Sequence, residues 1–230
     1  MLMLSGLAAA AQDGRSQIAD PLEPVNRAMH GVNLALDQAV LRPASRVYAE
    51  TPQPFRTGVR NVVDTYGLPA DTLNAALQGD AEGAVLNVSR LIVNLSFGIL
   101  GIFDAADDFG LPHREADFAE TLQVWGIGNG VYLELPVLGP GTARDGVGRI
   151  VDIVIDPLGQ VTAVTETGRV ALALGDVVDE RTTYADVIEA LLYESADSYA
   201  ATRNAIAQQA NRSGHRDAPT EDDFIDIYAE

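Results

Sequence analysis

Three groups of residues in this 230-residue chain have types and spacings that could do chemistry. The first is His30 with Asp37, on one face of a helical pattern, where an imidazole beside a carboxylate could act as a general base. The same pair occurs more commonly as hydrogen-bonded members of a polar seam. The second is Gly126-Ile127-Gly128-Asn129-Gly130, whose backbone N–H groups could cradle a phosphate. Its spacing is not that of a dinucleotide loop, and no clear strand-to-helix transition surrounds it, so tight turns account for it better. The third is the acidic run Asp104, Asp107, Asp108, Glu115 and Asp117. A calcium loop needs oxygens at alternating positions and a closing Glu, a pattern this run lacks, so it reads as a solvated loop.

Other catalytic signatures are absent. There is no Gly-x-Ser-x-Gly elbow, no Ser-x-x-Lys, no Walker loop and no His-Glu-x-x-His zinc helix. Nothing selects a carboxylate pair for hydrolysis. With no cysteine and three scattered histidines (His30, His113, His215), thiol chemistry is excluded and an imidazole-rich metal centre has little support. The expectation is a non-enzyme with no cofactor and no metal.

Two sets of polar residues do share helical faces. Asn26, His30, Asn33 and Asp37 fall at i, i+4, i+7 and i+11; Asn87, Arg90 and Asn94 at i, i+3 and i+7. Each forms a thin seam on a helix that is otherwise apolar, the reverse of an ordinary surface helix. Two explanations stand. The helices are central members of a soluble bundle, with polar groups satisfied by neighbours. Or they lie in lipid and turn their seams to a shared aqueous path.

The elements that position these residues are largely helical. A helix from about Val25 to Leu41 should stop before Pro43. A second runs through Arg60 and Val63 until Leu68-Pro69 breaks it, and Asp71 caps a third to Leu77. A long helix covers Ala81 to about Leu95. Gly and Pro punctuate Phe97 to Gly148, which reads as loop with a short extended piece at Val131–Leu135. Helical pattern returns at Gly159 to Leu174 and Asp179 to Ala210. Three segments follow: a leader at 1–19, one helical domain at 20–212, and an acidic tail at 213–230 expected to be mobile.

Composition limits the partners. Asp and Glu number 33 against 15 basic residues, all arginine, for a net charge of -18. Such a field repels nucleic acid and anionic lipid head groups, so membrane attachment must be hydrophobic or run through another protein. Met1 to Ala11 resembles a signal-peptide core followed by small residues, without the usual positive start, and suggests export. Ala84 to Phe103 is long enough to cross a bilayer but carries Asn87, Arg90 and Asn94 within it.

An ordered set of short motifs resembles the MlaA (VacJ) family. It begins with Asp20-Pro21-Leu22-Glu23 and Asn26-Arg27, then Arg42-Pro43 and Pro52-Gln53-Pro54. It continues through Leu77-Gln78-Gly79-Asp80, Arg90, Asn94, Gly98 and Phe103-Asp104. It closes with Thr121-Leu122, Gly126, Gly128, Gly130, Tyr132, Leu135-Pro136 and Arg144-Asp145. The match covers about Asp20 to Asp152 and then fades.

The resemblance implies a mainly α, single-domain, doughnut-like arrangement of amphipathic helices around a channel, with a Gly/Pro-rich loop region. It implies a place in the periplasmic leaflet of the outer membrane, beside a trimeric porin. There the protein would pass mislocalised outer-leaflet phospholipid to the periplasmic carrier MlaC, keeping the membrane asymmetric. On this view Asn26, His30, Asn33, Asp37, Asn87, Arg90 and Asn94 line the channel, and Gly98, Gly101 and Gly110 are flexible backbone near the pore. One departure is the lipid anchor: Leu4-Ser5-Gly6 is followed by Leu7 where the family carries Cys. A soluble periplasmic scaffold and a lipid hydrolase are the alternative functions.

Overall fold

The computed structural model describes residues 18–155 and 166–216; most of the expected leader and acidic tail lie outside them. The described chain is mainly α. Helices α1 (Glu23–Leu36), α2 (Arg42–Ala49), α3 (Gln53–Gln78) and α4 (Ala81–Ser96) come first, followed by the single turn α5 (Ala105–Asp108) and by α6 (Phe118–Val124). Strands β1 (Tyr132–Leu135) and β2 (Gly139–Thr142) form an antiparallel pair, Leu135 opposite Gly139. Then come α7 (Ala143–Ile155), α8 (Glu166–Thr183), α9 (Ala185–Glu189) and α10 (Ser198–Arg216).

Two prolines do less than expected. Pro43 does not stop the first helical stretch: a π-turn, Asp37–Leu41, carries the chain straight into α2. The Arg42 N–H bonds the Asp37 carbonyl, five residues back, and Pro43 falls in the first turn of α2, where no N–H is required. Pro69 lies inside α3 without breaking it, so the two helices expected there are one. An interior proline costs roughly 3 kcal/mol, and packing of α3 along α4 overrides it.

The glycine-rich middle is also more ordered than the loop expected. Beyond β1 it holds α5, α6, β2 and the first half of α7. Two members of the acidic run cap helices there. The Asp104 carboxylate accepts from the Asp107 N–H at 3.2 Å, and the Asp117 carboxylate from the Glu120 N–H at 2.6 Å. They are cap residues, and the solvated-loop reading does not hold for them.

The elements pack in a circuit. α1 lies on β1, β2 on α7, α7 on α6, α6 on α3, α3 on α8 and α8 on α2, which the π-turn joins to α1. The interior is unusually polar. Among the described residues nine apolar side chains are buried, five of them alanine, against fifteen polar or charged ones. Large apolar side chains instead face outward: Val85, Ile92, Phe97, Leu100, Val137 and Val154 are 60–76 % exposed. No helix among the described residues is long and apolar enough to cross a membrane.

Candidate functional site

The first seam faces protein. Asn26 donates to Asp20 at 2.8 Å and to the Tyr132 carbonyl at 3.1 Å, and accepts from the Glu134 N–H at 3.1 Å. His30 sets Nδ1 against Glu134 Oε1 at 3.0 Å and Nε2 against Ser198 Oγ at 2.9 Å. Asn33 donates to the same Glu134 oxygen at 3.2 Å and to the Leu135 carbonyl at 3.0 Å, and accepts from the Val137 N–H at 2.9 Å. The Tyr132 hydroxyl completes the shell of Glu134 from 2.9 Å, and burial together with that carboxylate drives the phenol pKa far up. Asp37 belongs to a separate group: Arg181 Nε donates to it at 2.8 Å and the Tyr193 hydroxyl at 2.6 Å. His30 and Asp37 therefore have different partners and form no dyad.

The second seam is built the same way. Asn87 donates to the Arg114 carbonyl at 2.7 Å and accepts from the Arg114 N–H at 3.3 Å. Arg90 donates to Asp104 at 2.7 Å and to the Leu111 carbonyl. Asn94 donates to Asp104 at 3.0 Å and to Thr65 at 3.3 Å, and accepts from the Ala106 N–H at 2.8 Å. Burial acts to raise the Asp104 pKa, but the bonds from Asn94 and Arg90 outweigh it and hold the carboxyl below its usual value.

The seam side chains, expected at the wall of a water path, are thus enclosed and paired with protein atoms. Six of the seven are at most 6 % exposed. The reason is physical: a buried polar group must find a partner, and most of the partners come from β1 and from the 104–114 segment, with Arg181, Tyr193 and Ser198 supplied by the C-terminal part of the chain. Gly98 and Gly101 also sit tighter than flexible backbone would. A Cβ on Gly98 would come within 2.1 Å of the Phe103 carbonyl oxygen. Gly101 has φ +92° and lies against Thr65, while Gly110, φ +73°, has open space around it.

What is open to a ligand lies elsewhere. Between α3 and α8 runs an apolar cleft of about 700 Å³. Phe55, Gly58, Val59, Val62, Val63 and Tyr66 line it from α3, and Gly168, Ala171, Leu172 and Gly175 from α8. The α3 residues recur at the i, i+3, i+4 spacing of one helical face, and the glycines let the two helices leave room between them. Burial pushes up the carboxyls of Asp64 and Asp176, the neighbours of Val63 and Gly175, and nearby acids add to the shift.

Comparison with known proteins bears on this arrangement. A model of the MlaA lipoprotein family matches residues 18–213, which include both seams and the cleft. The chain belongs to that family. Intermembrane phospholipid transport system lipoprotein MlaA of Escherichia coli is 32 % identical over 217 residues, spanning 90 % of this chain and 82 % of that one. The Shigella flexneri protein of the same name matches equally, at 32 % over 217 residues. A solved structure from work on the structural basis for maintenance of bacterial outer membrane lipid asymmetry superposes with TM-score 0.69 at 29 % identity. It covers 84 % of this chain and 98 % of the other.

The MlaA family match continues well past Asp152, where the resemblance read from motifs alone faded. Sequence reading also missed the partners that close the seams, namely Glu134, Arg181, Tyr193 and Ser198. Glu134 had one available signal. It is a lone carboxylate in the extended Val131–Leu135 stretch, and alternation places it on the same face as Tyr132.

Proposed function

We propose that this chain moves intact phospholipid and does not change it chemically. It lies in the periplasmic leaflet of the outer membrane and takes mislocalised lipid from the outer leaflet toward a periplasmic carrier. The observation that carries the reading is the inverted distribution of side chains: polar residues are buried and paired inside, while large apolar ones face out. In water that surface would be an aggregation liability; in the acyl region of a leaflet it is matched. The names of the E. coli and S. flexneri relatives supply the substrate class.

In this reading the seams are the frame of the passage and the apolar cleft is its wall. Asn26, His30, Asn33, Asp37, Asn87, Arg90 and Asn94 hold the circuit of elements in register around the path. The carrier MlaC and a trimeric porin are the protein partners that the reading implies. The test is mass spectrometry of lipids co-purifying with detergent-extracted protein, with the same preparation assayed for lipid breakdown. Intact phospholipid without released fatty acid or head group is the expected result. A monodisperse, lipid-free protein in the absence of detergent overturns the reading, and lipid cleavage favours a hydrolase.

A further inference from the structure

The cleft between α3 and α8 has two unlike ends. Phe55 and Tyr66 line it eleven residues apart on α3, about 16 Å along a helix. Among the twelve described lining residues, the Tyr66 hydroxyl is the single polar side-chain group. Tyr66 is half-buried, and its hydroxyl has no hydrogen-bond partner among the described residues. The other end is Pro54 and Phe55, the latter 60 % exposed. Arg56, next to Phe55, does not line the cleft; its field falls on Tyr48 of α2.

The dimensions fit one hydrocarbon chain. Half of a bilayer's hydrocarbon core is about 15 Å deep, close to the length of the α3 wall. If a methylene takes the ~30 Å³ of a water molecule, a sixteen-carbon acyl chain fills about 480 Å³ and two chains need twice that. The cleft holds about 700 Å³, room for one chain and not for two. Its walls also come close together. A Cβ on Gly175 would stand 3.5 Å from Val59 Cγ1, and one on Gly58 would stand 3.6 Å from Ile102 Cγ2.

We infer that the cleft holds one acyl chain at a time, its ester end at Tyr66 and its terminal methyl toward Phe55. The phenol donates and the ester carbonyl accepts, and tyrosine suits a place where an apolar wall meets a polar group. The second chain of a diacyl lipid stays on the outward apolar surface, so a lysophospholipid occupies the cleft as a diacyl lipid does. Tyr66 is a positioning residue: it sets which way the lipid lies. The inference rests on the cleft being the lipid passage and adds the number of chains it takes and their direction.

The experiment uses the full chain in detergent with phosphatidylethanolamine carrying a diazirine on its sn-2 chain, either beside the ester or at the terminal carbon. After irradiation, adducts are mapped by peptide mass spectrometry. The ester-side probe should label Val63 and Tyr66, and the terminal probe Pro54 and Phe55. Each should favour its own end about fivefold, the scale of one neutral hydrogen bond. Tyr66→Phe should still bind lipid and lose most of that contrast. Tyr184→Phe, which removes an exposed phenol outside the cleft, should keep it. Lysophosphatidylethanolamine with the same probes on its one chain should give the parental map. A reversed or even map overturns the orientation, and an unchanged contrast in Tyr66→Phe overturns the role of the hydroxyl. Labelling by the diacyl lipid alone overturns single-chain occupancy. No adduct in the cleft with any probe sinks the passage and this inference together.

Discussion

Arg181 on α8 and Asp37 at the start of the π-turn meet at 2.8 Å, 144 residues apart in sequence, with their side chains only 4 % and 8 % exposed. Arg181 also donates to Glu189 at 2.7 Å, and Tyr193 brings its hydroxyl to Asp37. This pair ties the end of the α1 stretch to the C-terminal helices and so closes the circuit on that side.

Breaking the pair from one side leaves the buried Arg181 charge with only Glu189, an oxygen it shares with Arg42. Asp37→Leu should destabilise the fold by about 3–5 kcal/mol. Asp37→Leu with Arg181→Met should recover a large part of that loss, because no unpaired ion is left. Denaturant unfolding in detergent, followed by far-UV circular dichroism, measures both. Equal stability of Asp37→Leu and the parent would show that the pair does not hold the circuit.

The seams were legible because helical periodicity displays them. Residues at i, i+4, i+7 and i+11 must share a face, and the first helix keeps that register into its π-turn. Their partners were not legible. Glu134, Ser198 and Arg181 lie 104, 168 and 144 positions from the residues they serve, and no local pattern links them. A seam facing water and a seam facing a distant carboxylate look identical in one helix. Pro69 misled for a related reason: local propensity is a few kcal/mol, and tertiary packing along α3 and α4 exceeds it; Pro43 misled because it stands in a first turn, where no N–H is required. The cleft escaped notice because its wall reads as an ordinary apolar face.

The Arg90–Asp104 bond has a pH signature. Asp104 is held below its usual value of 3.8, so its contribution is present above that value and is lost as pH falls through the depressed one. Arg90→Leu should cost about 2–3 kcal/mol at neutral pH, less than a fully buried pair because Asp104 is partly wetted. The gap between Arg90→Leu and the parent should narrow below about pH 4. Unfolding midpoints from pH 7 to pH 3 check this. A gap that stays constant over the whole range would exclude Asp104 as the partner that matters.

The outward apolar face of α4 predicts membrane behaviour. Val85 and Ile92 are 66 % and 60 % exposed and lie two turns apart on one side of the helix. Val85→Glu with Ile92→Glu should leave the paired interior intact, since neither side chain is buried. The variant should shift from the outer-membrane fraction toward the soluble periplasm on cell fractionation. Undiminished membrane association would assign anchoring to other surfaces.

The most direct test of the central claim is capture of lipid inside the cleft. A photo-reactive side chain at Val62, on the cleft wall, should crosslink in outer membranes to phospholipid that retains its head group and both acyl chains. The adduct mass, read by mass spectrometry, distinguishes the outcomes. Intact phospholipid at Val62 is the result predicted for a non-enzymatic passage. No lipid adduct at Val62, or an adduct lacking a chain or head group, would contradict it.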